Sequence, residues 1–238
     1  MTARPERLNA TIAWLFMVGS ACFILGSVPA YLDAIGGWVD SITYVIGSIF
    51  FTSASYAQLV QAQSPATTHV DEVTQHAPAP VRLWGWVPHD RAWLAAAVQL
   101  PGTLFFNIST TAALTHNATA AEADRYVWRP DLLGSVLFLV SSAIGVLAVS
   151  PRFFSVQPRS MPWRIAWLNM LGSVLFMASA LASYVVPSTD ELLGAHLAVA
   201  GTFWGAACFL VGAALMLPAW RRALAPLGTA TPPEPDRA

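Results

Sequence analysis

Six long apolar runs constrain this chain more than any other feature. They occupy residues 8–31, 41–62, 92–116, 132–149, 163–186 and 192–217. Each is close to the ~20 residues that a helix needs to cross a bilayer core. In lipid every backbone N–H and C=O must find an internal partner, so runs of this length form helices. A transmembrane β-barrel would show short segments that alternate polar and apolar, and none occur here. Only 11% of the 238 residues are charged, against ~25% in an ordinary soluble domain. The chain therefore has too little charge to face water on all sides. The expected fold class is all-α, a polytopic membrane bundle of six transmembrane helices built as three tandem hairpins, 8–62, 92–149 and 163–217. The first run has no small-residue cleavage site behind a short apolar core, so it reads as a retained helix. Its partner in the first instance is the lipid bilayer. A net charge of −1 points to no nucleic-acid partner.

Arginine placement predicts the orientation. All basic residues are arginine, and ten fall on one side: Arg4, Arg7, Arg82, Arg91, Arg152, Arg159, Arg164, Arg221, Arg222 and Arg237. Only Arg125 and Arg129 fall on the other, together with Asp33, Asp40, Glu122, Asp124, Asp131, Asp190 and Glu191. Both termini are thus expected in the cytoplasm, with the chain in the cell (inner) membrane. The connection 63–90 is then a cytoplasmic loop. Its first part, SPATTHVDEVTQHAPAP, is polar and proline-bearing and reads as irregular. Its second part sets Trp84, Trp86 and Trp93 beside arginines, the signature of a segment at headgroup level. The polar stretch 221–238 reads as a disordered tail.

A short phrase recurs in every run. Gly is followed by Ser or Thr at Gly19, Gly47, Gly102, Gly134, Gly172 and Gly201. Four residues later comes Phe in five of the six, at Phe23, Phe51, Phe106, Phe138 and Phe176, whereas the sixth run has Gly205. Steps of seven and eleven residues lead to further small side chains, Gly212 among them, except for Gln58 at the eleven-residue step of the second run. Such steps return to nearly the same helix face. Each helix thus carries a stripe of small residues, which is how membrane helices pack closely without a hydrophobic driving force. The helix-packing residues expected are Gly19, Gly47, Gly102, Gly134, Gly172, Gly201, Gly205 and Gly212. Cys22 and Cys208 lie inside runs with no CxxC or Cys/His cluster, and read as packing residues.

A helical hairpin with GSxxF in both arms, VGSACF with IGSIFF, resembles the YrhK-like family of small bacterial membrane modules. LGSVLF in runs four and five extends the resemblance to three related hairpins. Runs three and six depart from it, with Thr in place of Ser. The resemblance implies a membrane hairpin and no defined reaction, cofactor or substrate.

The chemistry-bearing residues are sparse. No P-loop, GxSxG, HExxH or Rossmann glycine pattern occurs. No Asp, Glu, Lys or Arg lies deep in a run, which disfavours a proton-coupled pump, and Asp33, Asp40 and Glu191 fall at run ends that water can reach. The intramembrane polar residues are Gln99, Asn107, Ser109, Thr110 and Thr111 around Pro101, and Asn169. They read first as interhelical hydrogen-bonding groups and second as a candidate polar cavity formed by Gln99, Asn107, Thr110 and Asn169. Asn107 and Asn117 match a glycosylation pattern, which the bacterial composition discounts. His116 and His196 fall at similar depth but lack a third ligand, so no metal, haem or other cofactor is expected. Three function classes stay open. The first is a structural or accessory membrane component, alone, as a homo-oligomer or with other membrane subunits. The second is a transporter or channel for a neutral small molecule, and the third is a membrane cofactor-binding protein or enzyme.

Overall fold

A computed structural model describes residues 2–3, 5–64, 79–115, 119–189 and 191–224. The first part of the 63–90 loop, His116, Asn117 and most of the expected tail lie outside the described residues. The long helices are α1 (Pro5–Gly26), α3 (Gly37–Ala62), α4 (Arg91–Thr115), α6 (Arg129–Val149), α7 (Met161–Ala182) and α8 (Ala195–Leu224). Short α2 (Pro29–Ile35) joins α1 to α3. One turn, α5 (Ala120–Glu122), runs through a π-helical segment, Ala123–Trp128, into α6. Among the described residues two antiparallel ribbons complete the fold: β1 (Thr2–Ala3) with β2 (Ala79–Pro80), and β3 (Val185–Val186) with β4 (Glu191–Leu192).

Local chemistry accounts for the ends that differ from expectation. The first run continues to residue 31, but α1 stops at Gly26. Ser27 donates its hydroxyl to the Phe23 carbonyl at 2.7 Å, and Pro29 has no N–H to continue the ladder. Pro29 instead opens α2, which meets α3 at a bend of 120°. Helix α7 ends at Ala182 because the next residues turn into the β3–β4 ribbon. At its start, the Ser160 hydroxyl accepts from the Trp163 N–H at 3.4 Å, with Pro162 in the first turn.

The six long helices close a ring. Helix α1 packs on α3, α3 on α4, α4 on α6, α6 on α7, α7 on α8, and α8 returns to α1. Neighbours run antiparallel: Gly19 meets Gly47 while Gly26 meets Tyr44, and Ser109 meets Val127 while Ser141 meets Ala95. The end where α1, α4 and α7 begin is here the proximal end; the other is distal.

The outside of the ring is apolar. Leu104 and Ile108 on α4, Val136 and Val140 on α6, Leu171 and Val174 on α7, and Trp204 and Val211 on α8 all face out. Inside, Ser20, Ser48, Thr103, Ser135 and Ser173 are buried almost completely. A water-soluble protein places these groups the other way round. Among the described residues four helical stretches are long and apolar enough to cross a membrane, within α1, α5–α6, α7 and α8, or five if bent α2–α3 counts as one. Helix α4 falls below that mark because Gln99, Thr103, Asn107 and Thr110 dilute it. Thr103 nevertheless turns inward and is fully buried.

Candidate functional site

The glycines set the helix spacing. A Cβ placed on Gly19 would sit 3.0 Å from the Gly47 carbonyl oxygen. The same separation of 3.0 Å holds from Gly134 to the Gly102 oxygen and from Gly172 to the Gly205 oxygen. In α8 the counterpart of Gly172 is therefore Gly205, one turn beyond the Gly201-Thr202 pair that the sequence pattern aligned. Four residues after Gly205 comes Phe209, so every long helix carries Gly followed four later by Phe. Gly201 also packs tightly, its Cβ position lying 2.8 Å from the Leu175 oxygen, and that of Gly212 lies 2.8 Å from Asn169 Oδ1.

The six phenylalanines converge. Each is at most 7% exposed. Partners within a helix pair have ring centroids 5.5 Å apart for Phe23–Phe51, 5.0 Å for Phe106–Phe138 and 5.3 Å for Phe176–Phe209. Phe51, Phe138 and Phe209 also touch one another, at 5.7 to 6.2 Å. Phe176 joins Phe23 and Phe106 at 6.0 and 5.9 Å. Two triads of rings thus stack into a continuous aromatic layer across the ring of helices. Each edge or tilted pair adds ~0.5–1.5 kcal/mol beyond its burial.

One turn before each glycine stands a residue that lines a cavity on one side of this layer. On the proximal side these are Phe16, Gln99 and Asn169. With Gln58, Ser142 and Met216 they line a cavity of about 110 Å³. It adjoins a larger one of about 480 Å³ that reaches Asn9 and Gln61 and shares Gln58 and Asn169. Gln58 Oε1 is buried there without a hydrogen-bond partner. On the distal side the corresponding residues are Tyr44, Asp131 and Thr202, and they line a cavity of about 310 Å³ with Trp128, Ser179 and Ser183.

The candidate polar cavity thus divides. Gln99 and Asn169 line the proximal chamber together, and Ser141 donates to Gln99 Oε1 at 3.4 Å. Asn107 and Thr110 lie at the α3–α4 interface. Asn107 Nδ2 donates to Thr52 Oγ1 at 2.9 Å, and the Thr110 and Ser48 hydroxyls share a bond of 3.0 Å. The sequence pattern missed Gln58, Ser142, Tyr44, Asp131 and Thr202 as lining residues. For Tyr44, Asp131 and Thr202 the signal was present, as the position three before each GxxxF glycine, though in α8 it needs the Gly205 register; Gln58 and Ser142 stand outside that pattern. Asp40 also departs from expectation: although it begins near a run end, it is only 9% exposed, and its Oδ1 has no partner.

Hydroxyl bonds repeat around the ring. Seven residues after Gly102, Gly134 and Gly172 stand Ser109, Ser141 and Ser179. They donate to the carbonyls of Val127, Ala95 and Ala198 at 2.9, 2.8 and 2.6 Å. Where that position is glycine, the partner helix fills it: Tyr44 packs over Gly26 and Asn169 over Gly212. Between pairs, Ser173 and Ser142 share a bond of 2.7 Å, and the Trp128 indole N–H donates to the Ala180 oxygen at 2.8 Å.

At the proximal rim, the tryptophans expected at headgroup level separate. Trp84 and Trp86 are 90% and 78% exposed, whereas Trp93 is 5% exposed beneath Trp86, its ring 5.3 Å away. The loop is held by Gln63, which donates to the Arg82 carbonyl at 2.7 Å, and by the Arg82 N–H bonded to Ser64 Oγ at 2.9 Å. Cys22 and Cys208 are free and half-buried. His196 is exposed at the start of α8. No group of three or more His, Cys, Asp or Glu among the described residues is placed to hold a metal ion. Compared with known proteins, the chain matches no family model, no curated protein and no solved structure.

Proposed function

We propose that the chain is an integral membrane protein of six spans, three tandem hairpins with both termini in the cytoplasm, acting as a structural or accessory component of the cell (inner) membrane. The observation that carries this reading is the aromatic layer. Six buried phenylalanines, held at fixed spacing by glycine contacts, close the axis along which a permanent pore would run. In this reading bent α2–α3 counts as one span and α4, third in chain order, is also a span despite its lower hydropathy, because its polar side chains turn to neighbours and its outer face is Leu104 and Ile108. The proximal end is the cytoplasmic one, and the exposed Trp84, Trp86 and Phe154 lie at its headgroup level or against other membrane subunits. The recurrence of GxxxF in six helices also supports an internal repeat and keeps the resemblance to YrhK-like hairpins as part of the proposal.

A second reading has one observation in its favour. Polar cavities on both sides of the aromatic layer match an occluded transporter for a neutral small molecule, whose site would be the Gln58, Gln99 and Asn169 chamber. The two readings separate in proteoliposomes. The accessory reading expects efflux of preloaded glycerol, urea and alanine no faster than from empty liposomes. Saturable flux of any one of them, abolished by Gln99→Leu, would overturn it in favour of transport.

A further inference from the structure

The distal cavity holds an acid without a partner. Asp131 lines it, yet among the described residues Asp131 makes no hydrogen bond and no ion pair. The two arginines of that end are engaged elsewhere: Arg129 pairs with Asp124 at 2.7 Å, and Arg125 lies over the Tyr126 ring at 5.4 Å. The other polar groups of the cavity are already satisfied. The Tyr44 hydroxyl bonds Ser27 Oγ at 3.0 Å, Ser179 and Thr202 bond each other at 2.7 Å, and the Trp128 N–H is held by Ala180. What the cavity offers a ligand is therefore one carboxylate and two aromatic walls. Burying a neutral ligand against that carboxylate would leave it unpaired, and an anion would be repelled. A calcium or magnesium ion needs about six oxygen ligands, and among the described residues no cluster of three or more His, Cys, Asp or Glu is placed to hold a metal ion.

We propose that this cavity is a binding site for a small organic ammonium group. Asp131 is its counter-ion, and Tyr44 and Trp128 are its cation–π walls. The volume, about 310 Å³, is at the lower end for small-molecule sites and suits a methylated or hydroxyethyl amine. Asp40, one turn before Tyr44 on α3, adds a second buried acid near the same end. The ammonium can belong to a free amine or to the headgroup of an amine lipid.

The test is calorimetric titration of the full chain in nanodiscs of phosphatidylglycerol. Choline and tetramethylammonium are expected to bind saturably, while 3,3-dimethyl-1-butanol, the uncharged isostere of choline, and sodium chloride at equal concentration are not. That comparison needs no variant. Asp131→Asn is expected to weaken choline binding at least tenfold, and Glu122→Gln, an acid outside the cavity at the same end, to leave it unchanged. Repeating the titration with phosphatidylethanolamine included distinguishes the source. A lowered choline affinity assigns the site to the lipid headgroup, an unchanged one to a free amine. No binding, equal binding of the uncharged isostere or of sodium, or full retention in Asp131→Asn would overturn the proposal.

Discussion

Glycine substitutions separate packing from propensity. At Gly201 a methyl would lie 2.8 Å from the Leu175 carbonyl oxygen and 2.8 Å from Ser179 Cβ. Neither can withdraw without moving backbone, so Gly201→Ala is expected to destabilise by about 1–3 kcal/mol. At Gly145, also mid-helix, nothing lies within 4 Å. There the methyl lowers the entropy of the unfolded chain without a clash, and Gly145→Ala is expected to stabilise by up to about 1 kcal/mol. Tryptophan-fluorescence melts in detergent check both, and equal signs would refute the packing assignment. Phe51→Ala, in the aromatic layer and 1% exposed, is expected to cost about 3–5 kcal/mol through the cavity it leaves. The glycines were legible from sequence because their spacing repeats, but their register in α8 was not. Four glycines of the sixth run, Gly194, Gly201, Gly205 and Gly212, satisfy a small-residue stripe equally well. Only the contact with Gly172 selects Gly205, while Gly194 meets only ordinary contacts, at 3.5 Å or beyond.

Among the elements, the α2–α3 junction depends on a single backbone conformation. Gly36 has φ +78° and ψ 158°, a region essentially closed to residues with a Cβ. No atom lies within 4 Å of a Cβ built there, and the same is true of Gly37, which does not have positive φ. Gly36→Ala is therefore expected to cost about 1–3 kcal/mol from strain alone, and Gly37→Ala to be neutral or mildly stabilising. A chemical-unfolding pair measured side by side decides it; similar losses at both positions would mean that space, not φ, matters. The long helices were readable because apolar length in lipid leaves the backbone one choice. Their ends were not, because they turn on local events that hydropathy averages away: the Ser27 hydroxyl on Phe23, Pro29 opening a new helix, and the 185–186 ribbon closing on 191–192. The polar positions show the same limit. Asn107 and Thr110 were legible as interhelical groups, since an amide in lipid seeks a partner. Which of the amides share a chamber depends on the helix rotation that the glycines impose, and that brings Gln58 to Gln99 and Asn169 from a different helix.

For the whole molecule, an apolar exterior over an interior of serine, glycine and phenylalanine fits a bundle stabilised by close packing in lipid rather than by expulsion of water. Each helix meets two neighbours around a closed ring, so no helix edge is left without a partner. The small residues and the hydroxyl bonds lie on those two contact faces, while Val, Leu and Ile are left to face outward. The ring also fixes which connections share an end. Ala34 and Leu193 are exposed distally, in the connections of the first and third helix pairs, and Val156 is 76% exposed proximally, in the link between α6 and α7. The proposed orientation, drawn from the ten-to-two arginine bias, puts the proximal end in the cytoplasm. This yields a labelling pattern. In a Cys22→Ala, Cys208→Ala background, Ala34→Cys and Leu193→Cys are expected to react with an impermeant maleimide added to intact cells. Val156→Cys is expected to react only after the cells are permeabilised, which also shows that the site is accessible once reached. Reaction of Val156→Cys in intact cells with protection of the other two would invert the protein in the membrane. Reaction of Ala34→Cys without Leu193→Cys would break the six-span count itself, because an odd number of crossings would then separate two connections that the ring places at one end.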